Sequence, residues 1–169
     1  MMVMLDLETM GTAGDSSIIA IGAVAFDKDA VKERFYTNVS LQSCIDAGMV
    51  VDGSTVIWWM KQSDEARAVF SDDAPTLACA LSQFSDWFAS VNGGQVWGNG
   101  AAFDNVILST AYKKVGLAQP WKFWDDKCYR TVKGLYPNVK LNGVGTYHNA
   151  VDDAKSQALH LIEILKDNA

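Results

Sequence analysis

Apolar positions open the chain as a short block at residues 3–7, give way to a polar, glycine-containing stretch at 9–17, and return at 18–26 as a second block rich in β-branched residues. Short apolar runs bounded by turn residues predict strands, with Asp27-Lys28-Asp29 as the turn after the second. Residues 33–39 alternate in polarity and predict a third strand that completes an antiparallel meander. Beyond it the pattern becomes helical. Ser54 is placed to cap a helix over 55–61 and Ser63 one over 64–70, while Asp73 and Pro75 open a longer helix to residue 91. Asn92-Gly93-Gly94 stops that helix before a short strand at 95–98. A helix follows over 102–115 with Gly116 as its stop, and 122–128 has room for a further short strand. In the last helix, from Ala150, the apolar residues Val151, Ala154, Ala158, Ile162 and Leu165 recur at helical spacing. Three meander strands followed by alternating helices and strands predict an α/β fold, a mixed five-stranded sheet with helices on both faces. No repeat, low-complexity tract or linker interrupts residues 1–169, so one domain is expected.

Composition narrows this picture. A net charge of −6 is the wrong sign for a protein that wraps long duplex, where many Lys and Arg neutralise phosphates. It is compatible with an enzyme that grips a few nucleotides at a strand end through bound cations. The three cysteines are scattered with no paired spacing, which predicts reduced thiols and a cytoplasmic protein. No signal peptide fits the opening residues, and no apolar run approaches the ~20 residues of a membrane span. Six tryptophans serve a core and a base-stacking surface equally well.

The candidate chemistry lies in the acids. Asp6 and Glu8 are two residues apart on the first predicted strand, a spacing that puts both carboxylates on one face of a sheet. Burying two like charges is penalised by desolvation and repulsion, and a hard divalent cation with oxygen ligands resolves the conflict. The pair also fits a strand-end Asp followed by a solvated Glu. Asp104, just inside the first turn of a helix, suits a metal site but equally complements the helix dipole, worth ~0.3–1 kcal/mol. His148 and Asp153 are five apart, about 140° around one continuous helix. They converge only if His148 lies in the loop, after Gly143 and Gly145, and Asp153 in the first turn of the helix. A histidine beside such acids works as a base near neutral pH, although Asp152 and Asp153 also suit a plain helix start and His148 a solvated loop. His160, inside the last helix, is expected to be a surface or partly buried side chain.

Taken together, Asp6-Leu7-Glu8-Thr9, Asp104, and His148 with Asp153 resemble the three ordered motifs of the DEDDh exonucleases. The segment Thr55-Val56-Ile57-Trp58-Trp59 with Gln62, Glu65, Ala66 and Arg67 resembles a narrower group of phage exonuclease A-type and RNase T-like small exoribonucleases. The resemblance implies an RNase H-like fold and hydrolysis of single-stranded DNA or RNA from the 3′ end to nucleoside 5′-monophosphates. It implies two Mg²⁺ or Mn²⁺ ions per site, held by Asp6, Glu8, Asp104 and Asp153, with His148 as general base. Thr9, Met10, Trp58, Trp59 and Phe103 become candidate substrate contacts, one of the two adjacent tryptophans facing substrate and the other the core. Arg130 is a candidate phosphate contact. A monomer and a homodimer both fit. Two rivals are an RNase H-like endonuclease, which the histidine five residues before the last acid disfavours, and a non-catalytic single-strand binder, which gains nothing from clustered negative charge. DNA and RNA are not distinguished, since no residue is assignable to a 2′-hydroxyl contact.

Overall fold

The computed structural model, which describes residues 1–71, 73–146 and 148–167, puts the first apolar block at the centre of a five-stranded sheet. Strands β1 (Met2–Thr9), β2 (Ile18–Phe26) and β3 (Val31–Asn38) form the expected antiparallel meander. The short strands β4 (Val96–Gly98) and β5 (Asp126–Cys128) continue the sheet in parallel on the other side of β1, giving the order β3-β2-β1-β4-β5. Seven α-helices are described: α1 (Leu41–Asp46), α2 (Gly53–Met60), α3 (Asp64–Arg67), α4 (Leu77–Ser90), α5 (Asp104–Lys114), α6 (Tyr129–Leu135) and α7 (Ala150–Asp167). Among the described residues no helix is long and apolar enough to cross a membrane.

Side-chain parity on β1 sorts the core into layers. Val3, Leu5 and Leu7 pack against Leu81 and Phe84 of α4 and Ile107 and Leu108 of α5. Met4 points to the opposite face, against Tyr129 of α6 and Ala154, Ala158 and Leu161 of α7. Asp6 and Glu8 share the parity of Met4 and therefore face α7. Helices thus cover both faces, as expected.

The structure revises several local expectations. Asp52, not Ser54, caps α2: its carboxylate accepts the N–H of Ser54 at 2.7 Å and of Thr55 at 3.2 Å. The stretch expected as a helix over 73–91 becomes helical only at Leu77, behind Thr76, whose hydroxyl accepts the Cys79 N–H. Pro75 disfavours helix at Ala74, and Thr76, held in the extended conformation of an N-cap, sets the start. Ser63 caps α3 as expected, but that helix ends at Arg67 rather than 70. The short helices α1 and α6 have no counterpart in the sequence reading.

Candidate active site

Asp6 and Glu8 both belong to β1, so the alternative of a solvated Glu8 does not hold: its residue is only 8% exposed. The β1–β2 register shifts between Glu8 and Thr9, a bulge of the kind that re-aims side chains at sheet ends. Opposite Asp6 in that register stands Gly22. A Cβ on Gly22 would lie 2.2 Å from the Ala150 carbonyl carbon, so only glycine lets the first turn of α7 rest on the sheet there. This contact delivers Asp153 to the strand acids. A second glycine does the same for α5. A Cβ on Gly98 would lie 2.3 Å from Asn105 Oδ1 and 3.1 Å from Asp104 Cβ. Asp104 Oδ1 then accepts the Leu7 N–H at 3.2 Å, joining the helix start directly to β1.

His148 lies in the loop and Asp153 in the first turn of α7, the arrangement their spacing demanded. Asn149 Oδ1 accepts the Asp152 N–H at 3.3 Å, the pattern of a helix N-cap. His148 has φ +62, the left-handed region that few non-glycine residues adopt. Its N–H donates to Asp153 Oδ2 at 3.1 Å, so the last acid also fixes the backbone of the histidine. One ligand atom each from Glu8, His148 and Asp153 falls within 4.8 Å of the others. Asp6 stands beside them, its Oδ1 accepting from Gln157 Nε2 at 2.8 Å. Asp6, Glu8, His148 and Asp153 line one cavity of about 370 Å³, with Asn99 and Lys133 on its wall.

The electrostatics of this cluster are unfavourable for a protein alone. Burial, then the charges of Asp153 and Asp104, push the Glu8 carboxyl up to about 8. Burial pushes Asp104 up to about 7, against N–H donors such as Leu7 and the nearby Arg130 guanidinium. Asp6 is raised well above its ordinary value by burial and by the charges of Asp104 and Glu8, with the Gln157 hydrogen bond opposing. Asp153 is raised by burial, with the His148 N–H and imidazole pulling it down. Four carboxyls converge, and all four are shifted toward the protonated form. A hard cation with oxygen ligands reverses that bias, and the donor set fits one.

Against the opposite wall of Glu8, a cavity of about 440 Å³ is lined by Thr9, Thr55, Trp58, Trp59 and Phe103. Trp58 is 40% exposed and Trp59 only 3%, its indole N–H donating to the Thr9 carbonyl at 3.0 Å. Thr9 donates its own hydroxyl to the Gly11 carbonyl at 2.7 Å. Met10 is a correction: it is buried among Ile19, Trp59, Ala66 and Val69 and has no face to offer a base. His160 is another, being buried, with the Tyr129 hydroxyl 2.6 Å from Nδ1 and the Val139 carbonyl 2.9 Å from Nε2. Arg130 donates to the Asn99 carbonyl and covers Gly100, at the rim of the acids.

Two site residues escaped the sequence reading. Gln157, four residues after Asp153 and thus on the same helix face, holds Asp6 while its Oε1 is buried without a partner. Its signal was a polar residue inside the apolar stripe of Ala154, Ala158 and Leu161. Asn105 anchors the start of α5 by donating to Val96 O at 3.0 Å and Asp126 Oδ1 at 2.7 Å.

Comparison with known proteins agrees with this geometry. A phage T4 exodeoxyribonuclease is 28% identical over 154 residues, covering 75% of this chain and 68% of that protein. The nuclease domain of 3′hExo, a DEDDh family member bound to rAMP, superposes with a TM-score of 0.66 at 16% identity, covering 99% of this chain and 92% of that one. The zinc-bound E. coli ExoI complex with single-stranded DNA superposes with a TM-score of 0.68 at 15% identity, covering 99% of this chain and 40% of that one. The fold is therefore the RNase H-like fold of the DEDDh exonucleases. The family model described as the 3′-5′ exoribonuclease Rv2179c-like domain matches residues 1–165, and the chain belongs to this family.

Proposed function

We propose that the protein hydrolyses single-stranded nucleic acid from its 3′ end, releasing nucleoside 5′-monophosphates, with RNA as the first substrate to test and DNA as the second. The family description names an exoribonuclease and the T4 relative an exodeoxyribonuclease, which sets that order. The observation that carries the reading is the meeting of Asp6, Glu8, Asp104 and Asp153 in one cluster, with His148 fixed to Asp153 beside it.

Asp6, Glu8, Asp104 and Asp153 would hold two Mg²⁺ or Mn²⁺ ions. Such a pair, when bound, orients the attacking water and stabilises charge on the attacking and leaving oxygens. Gln157 keeps the Asp6 carboxylate turned into the site. His148 takes the proton from the water as its oxygen attacks the last phosphodiester. The bond from phosphorus to the 3′ oxygen of the preceding nucleotide breaks, leaving a 3′-hydroxyl on the shortened strand and the phosphate on the released nucleotide. The terminal base sits in the cavity between Trp58 and Phe103, where stacking is worth ~1–3 kcal/mol. The three cysteines are all free thiols, in keeping with a cytoplasmic setting.

One observation favours a second role for the histidine. Its ring is near enough to Glu8 and Asp153 to act as a metal ligand rather than a base. The activity itself is tested on matched RNA and DNA oligomers labelled at the 3′-terminal nucleotide, with Mn²⁺, Mg²⁺ or EDTA. The reading expects metal-dependent appearance of a labelled 5′-monophosphate as the first product. Longer labelled fragments would mean an endonuclease, and binding without product a non-catalytic protein; either result overturns it.

A further inference from the structure

The adjacent tryptophans of α2 are attached to the end of the strand that carries Asp6 and Glu8 on one side and to the histidine on the other. Asp52, at the head of α2, donates its backbone N–H to the Met10 carbonyl at 2.7 Å, and Trp59 donates its indole N–H to the Thr9 carbonyl at 3.0 Å. Helix α2 is thereby registered to the end of the strand that carries Asp6 and Glu8. The Trp58 ring meets Trp59 edge to face, with centroids 5.0 Å apart and planes at 81°. The same Trp58 ring meets the His148 imidazole edge to face, at 5.0 Å and 88°. Trp59 also approaches the imidazole, at 6.5 Å. An unbroken series of contacts therefore runs from the Thr9 carbonyl through two indoles to His148.

We propose that Trp58 is a positioning residue for His148, setting the plane of the imidazole relative to the acids of β1, in addition to forming one wall of the base cavity. The backbone bond from His148 to Asp153 places the main chain of the residue, and the Trp58 ring acts on its imidazole. An edge-to-face partner restricts the orientation of that ring, because such ring pairs have a preferred geometry beyond simple area burial. The registration of α2 to β1 ensures that the restriction refers to the acids and not to the loop. Because Trp58 also lines the cavity next to Glu8, a base seated there packs on the indole that holds the histidine. The terminal base and the base catalyst thus share one side chain.

The inference rests on the role of His148 proposed above, so the test separates the two. The protein is assayed on a short oligomer with Mn²⁺ as wild type, Trp58→Leu and Trp58→Phe, each with and without His148→Ala, resolving kcat from KM. Loss of a 1 Å placement costs up to ~10²-fold, so Trp58→Leu is expected to lower kcat by ~10-fold or more. Trp58→Phe, which keeps an aromatic edge and face, is expected to recover most of that loss. In the His148→Ala background, the loss of kcat from Trp58→Leu is expected to be much smaller than in the wild-type background, while its effect on KM remains in both. Equal losses of kcat in both backgrounds, or a change confined to KM in the wild-type background, would overturn the role of Trp58 and leave that of His148 standing. A His148→Ala variant with wild-type kcat would overturn both. The metal-induced rise in melting temperature, read for every variant, confirms that each folds and keeps its metal site.

Discussion

Asp6, Glu8 and Asp104 are held by the sheet: two stand on a strand paired on both sides, and the third is hydrogen-bonded to that strand through Leu7. His148 is itself a loop residue in a left-handed backbone conformation, held by its N–H bond to Asp153 and by the ring of Trp58. Asp153 belongs to both halves, since its helix rests on Gly22 while its carboxylate reaches back to the histidine. The difference teaches how labour is divided. The proposed ligands for a cation stand on or against the central strand, where backbone geometry leaves little freedom, whereas the proposed proton acceptor is presented from a loop outside that frame. The sheet half should therefore set metal binding, and the loop half the rate of the chemical step.

The harshest way to break this comparison is Asp6→Ala. Removing this proposed metal ligand should reduce turnover by at least ~10³-fold, more than a single lost hydrogen-bond donor costs an active site. Folding should survive or improve in EDTA, because the variant relieves the like-charge repulsion around Glu8 and Asp104. Melting curves with and without Mn²⁺, beside the assay, check both statements. An Asp6→Ala protein that keeps the full metal-induced rise in melting temperature would contradict the ligand assignment.

Gly22→Ala attacks the joint between the two halves. A Cβ there would sit inside van der Waals contact with the Ala150 and Val151 backbone, so the first turn of α7 must lift. Overpacking of this kind costs ~1–3 kcal/mol in stability. Displacing Asp153 and His148 together should cost more in activity, up to ~10²-fold for a shift near 1 Å. Denaturant melts read alongside kcat would show whether activity falls further than stability; a variant affected equally in both would mean the joint is only structural.

The smallest effect is a pH dependence of the metal-free protein. Glu8 is pushed up to about 8 and Asp104 to about 7, both above their unfolded values. The folded state therefore binds protons more tightly than the unfolded chain between the ordinary carboxylate range and those values. Their contribution is fully present at low pH and is lost as pH rises through about 7 to about 8. In EDTA the protein should melt lower at pH 9 than at pH 6, and Glu8→Gln should flatten that slope. In Mn²⁺ the slope should shrink or invert, because binding selects the ionised ligands. A metal-free stability that rises over this range would contradict the raised values.

How much of this was legible in the sequence follows the same division. The strands β1 to β3 were readable because polarity alternates or β-branched residues cluster over eight or nine positions. The start of α7 was readable because an apolar stripe fixed its phase, and that phase placed His148 outside the helix. By contrast, α1 has six residues and α6 seven, too few turns to show an apolar stripe. Met10 follows the first motif, but several of the side chains that bury it, Trp59 of α2, Ala66 of α3 and Val69, arrive from some fifty residues or more along the chain. Gln157 and Gly22 escaped for a related reason: their importance lies in what they touch on another element, Asp6 for one and Ala150 for the other. Local pattern shows an element, and only the assembled fold shows who stands opposite.

The most direct test of the division between metal-holding acids and proton-accepting histidine compares His148→Ala with Asp153→Ala. For each, Mn²⁺ is titrated while melting temperature is recorded, and single-turnover cleavage is timed at saturating metal. His148→Ala should lose ~10²–10⁴-fold in rate, the usual contribution of a general base, while keeping the wild-type rise in melting temperature. Asp153→Ala should lose both. A His148→Ala protein that loses the metal-induced rise together with the rate would contradict the account and make the histidine a ligand.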